Sequence, residues 1–205
     1  EAMDAAEPET KKWMSVDADG CVCADGSPFE FWERPADPTK VVLYFEGGGA
    51  CFSAESCSFT DGTYVPSLNL GVSPGGRGGI FDQTTPENPL ADHSFVYVPY
   101  CSGDVFLGDN TQVYSDTLTV EHKGFPNATK GLDTVLANYP DVEQLVVTGA
   151  SAGSIPTPLF AGLAADRLPG TKIITFGDSS AAYPDAGPIN GLIGNLWGTT
   201  NNIPD

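Results

Sequence analysis

Ser151 is the residue of this sequence best placed to act as a nucleophile. It is the centre of Gly149-Ala150-Ser151-Ala152-Gly153, between an apolar run at 144–148 and a helix-forming segment. A Gly-x-Ser-x-Gly turn between a buried strand and a helix holds its serine in a strained conformation. Side chains two residues before and two after must be nearly absent there, and glycine at 149 and 153 meets that need. A helix starting at Ala152 aims its first N–H groups at an anion formed beside Ser151. The chemistry this suits is acyl transfer, in which a serine oxygen attacks an ester carbonyl. The competing reading is a small-residue turn that lets a helix pack on its strand. The strand before the motif and the helix after it favour the nucleophile.

Acyl transfer builds a negative oxygen that prepositioned donors must meet. A second motif, Phe45-Glu46-Gly47-Gly48-Gly49-Ala50-Cys51, follows another buried apolar run. Consecutive glycines let backbone N–H groups turn inward with no side chain in the way. Gly48 and Gly49 are the expected oxyanion donors, joined by the N–H of Ala152. A flexible turn has no need of three glycines at the end of a core strand.

These motifs need a sheet to hold them. Residues 41–45, 95–100, 144–148 and 173–176 are continuous apolar runs rich in β-branched and aromatic side chains. Such runs read as strands buried on both faces. Residues 127–139 place Leu132, Val135, Leu136 and Tyr139 on one helical face, and 152–167 form a second helix ending before Pro169-Gly170. Strand, helix, strand, helix, strand from residue 125 onward is the pattern of a parallel sheet. The expected architecture is one α/β domain over 1–205 of the α/β-hydrolase fold, mostly parallel, with helices on both faces. Residues 29–33 alternate and read as an edge or antiparallel strand, Asp37-Pro38-Thr39 reads as a turn, and 1–12 as a frayed start. Residues 58–92 form a long glycine-rich loop without a period, a kind that is functional or mobile in compact domains.

Composition limits the partners. The 205 residues carry 27 acids against 9 bases, a net charge of −18. Nucleic acid and anionic membranes are poor partners for that field. No apolar run approaches ~20 residues, so no membrane span is expected. The first residues lack a positively charged or apolar leader and read as a mature terminus. Five cysteines, with Cys51 and Cys57 six apart, suggest disulfides and an oxidising compartment. A metal site is the rival reading, but neither His93 nor His122 has ligand spacing to a cysteine pair. Asp17-Ala18-Asp19-Gly20 is far short of a calcium loop.

The motifs together are specific. The run from Phe45 to Phe52 with Cys57 after it resembles the pectin acetylesterase/Notum family of carboxylesterases. So do Val98-Pro99-Tyr100-Cys101-Ser102-Gly103-Asp104, the elbow through Ser154, and Cys23-Ala24-Asp25-Gly26-Ser27-Pro28. The resemblance runs from about residue 23 to 180. It implies an α/β-hydrolase fold, secretion, and removal of acyl groups from sugar or protein hydroxyls. It also implies bridges Cys51–Cys57 and Cys23–Cys101, with Cys21 left over. Animal members often carry a bulky aromatic where Gly49 stands, and a glycine opens the pocket mouth.

A serine needs a base, normally a histidine oriented by an acid, and in this fold both follow the serine. Both histidines of this chain precede Ser151. Of the later acids, Asp166, Asp178, Asp185 and Asp205, Asp178 sits just past the fourth strand and is expected to line the substrate pocket or cap a helix. The resemblance places the triad acid and histidine further downstream. The expectation is therefore the N-terminal portion of a secreted or periplasmic serine carboxylesterase, with acid and base on a following segment or second chain. An acetylated polysaccharide is the expected substrate, with small esters, a lipid-modified protein or a polyester as alternatives. No metal or organic cofactor is required. A catalytically silent binding protein of the same fold is the other reading.

Overall fold

The computed structural model describes residues 12–180 and 186–203. Six strands form one sheet: β1 (Met14–Val22), β2 (Pro28–Arg34), β3 (Asp37–Phe45), β4 (His93–Val98), β7 (Gln144–Ala150) and β8 (Lys172–Asp178), in the order β1-β2-β4-β3-β7-β8. The four apolar runs of the sequence are β3, β4, β7 and β8, and they pair with one another in parallel. β1 pairs antiparallel with β2, and β2 with β4. A separate hairpin joins β5 (Asn110–Ser115) to β6 (Leu118–His122). This is an α/β fold of the hydrolase type.

The pleat divides the strand residues between two faces. Val41, Leu43 and Phe45 of β3, Val96 and Val98 of β4, and Leu145 and Val147 of β7 enter one apolar cluster. The helices α1 (Gly124–Asn138) and α2 (Thr157–Arg167) both close over it, through Ala128, Leu132, Val135, Phe160, Ala161 and Ala164. Gly131 lets α1 approach closely, since a Cβ there would lie 2.5 Å from Val98 Cγ2. Val42, Tyr44, Phe95, Tyr97 and Val146 face the other way and are covered by Trp13, Ile80, Phe81 and Leu90. Helices on both faces were the expectation. Among the described residues both sheet-packed helices lie on one face, and the glycine-rich crossover between β3 and β4 covers the other. Repeated Gly and Pro between 71 and 89 keep that crossover from being helical; its one regular piece is a short turn at Gly79–Phe81.

Other differences have local causes. β2 is an interior antiparallel strand, because β1, which sequence reading misses, is the edge. Polar Asp17 and Asp19 alternate outward on β1 and hide its pattern. Asp37-Pro38-Thr39 is the irregular start of β3: Asp37 Oδ1 accepts from the N–H and Oγ1 of Thr39 at 2.9 and 2.7 Å, and the register shifts before Val41. The segment after Ser151 is not one helix. A short turn, Ser151–Ser154, precedes α2, because Pro156 and Pro158 remove two N–H donors. β8 is buried on neither face at its C-terminal end, where Phe176 is 45% exposed.

Bridges Cys23–Cys101 and Cys51–Cys57 are present, and Cys21 is the free, half-buried cysteine. Burial raises the pKa of the Cys21 thiol, with Lys130 opposing. No described helix is long and apolar enough to cross a membrane. Asp185, Asp205 and residues 1–11 lie outside the described residues.

Candidate active site

Ser151 stands at the C-terminal end of β7 with φ +51°, in the left-handed region that non-glycine residues avoid. Holding it there costs on the order of 1–3 kcal/mol, and the surroundings impose it. A Cβ on Gly149 would strike the carbonyl of Gly153, and it would lie 2.6 Å from Phe45 O. A Cβ on Gly153 would strike Phe45 O and come within 2.5 Å of Glu46 O. The end of β3 and the elbow therefore touch backbone to backbone. Ser154 Oγ donates to Ser151 O at 2.6 Å, and Thr157 Oγ1 to Ser154 O at 2.8 Å, fixing the turn that follows. The Ser151 side is exposed while Ala152, Gly153 and Ser154 are buried.

The glycine loop lies against this turn. A Cβ on Gly47 would be 3.0 Å from Ser151 Cβ. The Gly48 and Gly49 N–H groups donate to no atom among the described residues, and the Ala152 N–H opens the Ser151–Ser154 turn. Gly48 and Gly49 directly follow the Gly47 that meets Ser151, and Ala152 directly follows Ser151. The loop is held from behind: Gly49, at φ +84°, bridges to Tyr64, and Val65 N–H donates to Gly48 O at 3.2 Å. Cys51 N–H donates to Gly103 O at 2.9 Å, and Trp197 Nε1 donates to Cys51 O at 2.8 Å.

Sequence reasoning misses the part played by Tyr100 and Asp104. The Tyr100 ring seats Gly48, where a Cβ would come within 2.6 Å of its Cδ1. Its hydroxyl accepts from Val105 N–H at 2.8 Å, and Val105 and Phe106 have φ of +51° and +60°. Buried Asp104 holds that strained pair: its carboxylate accepts from Ser102 Oγ (2.6 Å), Phe106 N–H (3.1 Å) and Gly124 N–H (2.8 Å). Burial raises its pKa, opposed by His122. The sequence signal was the motif Val98–Asp104, which carries the family resemblance but does not reveal these contacts.

Neither histidine serves Ser151. His93 starts β4, where its Nδ1–H donates to Asp92 at 2.8 Å and Gln144 donates to its Nε2 at 3.1 Å. Gln144 begins β7 and Ser151 follows its end, roughly 20 Å away along the strand. His122 is fully buried behind the glycine loop. Its Nδ1–H donates to Ser102 O at 2.9 Å, and Tyr114 OH donates to Nε2 at 3.0 Å. Burial lowers its pKa, with Asp104 opposing, so both ring nitrogens are committed in the neutral form. The sulfurs of Cys51 and Cys57 lie close to His122, but they bond to each other, which leaves no thiolate for a metal.

Asp178 ends β8, paired in register with Ala150, and is exposed. It rims a depression of about 460 Å³ floored by Tyr44, Phe81, Thr148 and Phe176. Asp166 is exposed near the end of α2 and reaches no part of the elbow turn described above.

Comparison with known proteins places the chain in a family. The chain is 27% identical over 183 residues to palmitoleoyl-protein carboxylesterase notum1' of Xenopus laevis, covering 82% of this chain and 36% of that protein. It is 28% identical over 145 residues to the palmitoleoyl-protein carboxylesterase NOTUM of Schmidtea mediterranea, covering 65% of this chain and 26% of that protein. Pectin acetylesterase 4 of Arabidopsis thaliana is 26% identical over 155 residues, 73% of this chain and 38% of that protein. The chain spans well under half the length of these relatives. A model of the Pectinacetylesterase family matches residues 7–190, and the chain belongs to that family.

Proposed function

We propose that this chain carries the nucleophile and oxyanion donors of a serine carboxylesterase that removes acyl groups, acetyl foremost, from a polysaccharide. The observation that carries it is Ser151 at φ +51° between Gly149 and Gly153, with Gly47 against its Cβ. Ser151 Oγ attacks the ester carbonyl as a base takes its proton. The carbonyl oxygen, now negative, accepts from the N–H groups of Gly48, Gly49 and Ala152. Collapse expels the alcohol and leaves an acyl-serine, which water resolves by the same steps. The relatives named as acetylesterases and carboxylesterases support this reading. Two disulfides support an extracellular or periplasmic setting.

The base belongs to a segment that follows this chain or accompanies it as a second polypeptide. The distance of His93 and the committed ring of His122 support that part, and so does the outer edge of β8, which pairs with no described strand and leaves Phe176 exposed. The same histidine geometry favours the second reading, a catalytically silent binding protein. A fluorophosphonate probe separates the two. It labels Ser151 in the full-length gene product, and Ser151→Ala abolishes both labelling and p-nitrophenyl acetate turnover. Unchanged turnover in that variant refutes the nucleophile, and no labelling of the full-length product supports the silent protein. Full labelling of a chain ending at Asp205 refutes the external base.

A further inference from the structure

Next to the oxyanion loop, on the face of the sheet covered by the long crossover, lies a cavity of about 210 Å³. Its wall is continuous with the catalytic loop, since Gly47 lines it and packs against Ser151 Cβ. The other lining groups that matter are Glu30, Trp32, Glu46, Arg77, Tyr97 and Tyr100. At ~30 Å³ per water the space holds about seven waters. It is smaller than the usual 300–1,000 Å³ range of ligand pockets. One ring with its hydroxyls fits this space, whereas a long acyl chain does not.

The chemistry of the wall is unlike that of an acyl pocket. Glu30 accepts from Ser15 Oγ and Gly71 N–H, each at 2.6 Å. Glu46 accepts from Arg77 Nη2 at 2.5 Å and from Tyr100 N–H at 3.3 Å. Each carboxylate keeps lone pairs beyond these bonds, so acceptors outnumber free donors around the cavity. Tyr97 is 2% exposed and its hydroxyl is buried beside Glu46, so the tyrosine gives the cavity its ring rather than a free donor. Arg77 lies over the Tyr97 ring, 5.4 Å from its centroid, and brings its remaining N–H donors to the same mouth. Aromatic faces, surplus carboxylate acceptors and one donor fork call for a ligand rich in hydroxyls and without negative charge. The net charge of −18 disfavours an acid in the same place.

Resting on the esterase reading above, we propose that this cavity is a subsite for one neutral sugar ring of the acylated substrate, with Glu46 and Arg77 as its hydrogen-bonding groups and the Tyr97 ring as part of its wall. The ring is held one residue from the oxyanion loop, which presents a neighbouring acylated hydroxyl to Ser151.

The test is binding, measured in full-length protein carrying Ser151→Ala so that turnover plays no part. Xylotetraose is the probe and tetragalacturonate the anionic comparison, followed by calorimetry and by Trp32 fluorescence. Xylotetraose is expected to bind, and Arg77→Gln, on an exposed part of the crossover, to weaken it about fivefold, the worth of one hydrogen bond. Glu46→Gln, which removes the charged acceptor, is expected to give a similar loss. Absence of xylotetraose binding, equal binding by the folded variants, or binding of tetragalacturonate alone overturns the subsite. Fluorophosphonate labelling of Ser151 without sugar binding removes the subsite and leaves the esterase. Sugar binding without labelling removes the esterase and leaves a carbohydrate site.

Discussion

The two faces of the central sheet are closed in different ways. On one, α1 and α2 cover Val41, Leu43, Phe45 and their neighbours with aliphatic and aromatic side chains, most of them fully buried. On the other, a crossover without helices lays Ile80 and Phe81 over Tyr44, Phe95 and Tyr97. The centre of that second cover is Arg34, which is 1% exposed. It donates to Phe81 O at 3.1 Å and His93 O at 3.4 Å, and stacks 4.3 Å from the Phe95 centroid and 5.0 Å from that of Trp13. Burial lowers its pKa to about 10. One face therefore rests on packing, the other on a single buried guanidinium and a set of rings. The two cavities described above, one bordering the catalytic loop and one the elbow, lie on the second face. Loops on a rigid scaffold are where binding groups concentrate, and here the helical face is the scaffold.

Substitutions can break this contrast. Phe160 of α2 is fully buried, with its centroid 5.0 Å from Phe45 and 5.7 Å from Phe125. Phe160→Ala should cost about 3–5 kcal/mol by urea unfolding, with the whole domain melting earlier. A loss under 1 kcal/mol would mean that the helical face is not the main core. Arg34→Met keeps the volume and removes the hydrogen bonds of a charged donor to Phe81 O, His93 O and the Gln83 amide oxygen, and should cost about 2–3 kcal/mol. The effect should be local: proteolysis within 71–89 speeds up more than global unfolding does. Equal protection of that segment in the variant would contradict the role given to Arg34. Phe81→Ala is smaller, about 1–2 kcal/mol, because Phe81 is only half-buried despite ring contacts with Tyr44 at 4.9 Å and Tyr97 at 5.7 Å. Thermal melting resolves that difference, and a loss equal to that of Phe160→Ala would erase the contrast.

The helical face is the part that was legible in the sequence. β3, β4 and β7 read as apolar runs because both sides of each strand meet hydrophobic partners over most of its length, and α1 reads from Leu132 and Val135 at helical spacing. The elbow around Ser151 reads because tight backbone approach between Phe45 O, Gly149 and Gly153 admits no side chain, and the glycine loop because Cβ atoms on Gly48 and Gly49 would meet Tyr100 and Thr63. The other face was not legible. Its cover has no period, and Arg34 looks like an ordinary surface charge until Trp13 and Phe95 are seen around it. β1 is hidden by its acids, and the seat that Tyr100 and Asp104 make for Gly48 depends on contacts across two loops. Periodicity reports regular elements; it is silent about groups brought together by irregular chain.

β8 gives the smallest expected effect and the sharpest test of the proposed continuation. Its run of Ile173, Ile174 and Phe176 reads as a doubly buried strand, yet Phe176 is 45% exposed and the outer edge of β8 pairs with no described strand. In a chain ending at Asp205, Phe176→Ser should change stability by no more than about 0.5 kcal/mol, as surface substitutions do. In the full-length gene product, a following strand or helix would cover the ring. The same change should then cost about 1.5–3 kcal/mol, the worth of fully burying a large apolar side chain. Unfolding of the two lengths side by side reads the difference directly. Equal, near-zero losses in both would mean that nothing further along the chain seals β8, and the triad base would have to reach Ser151 by another route.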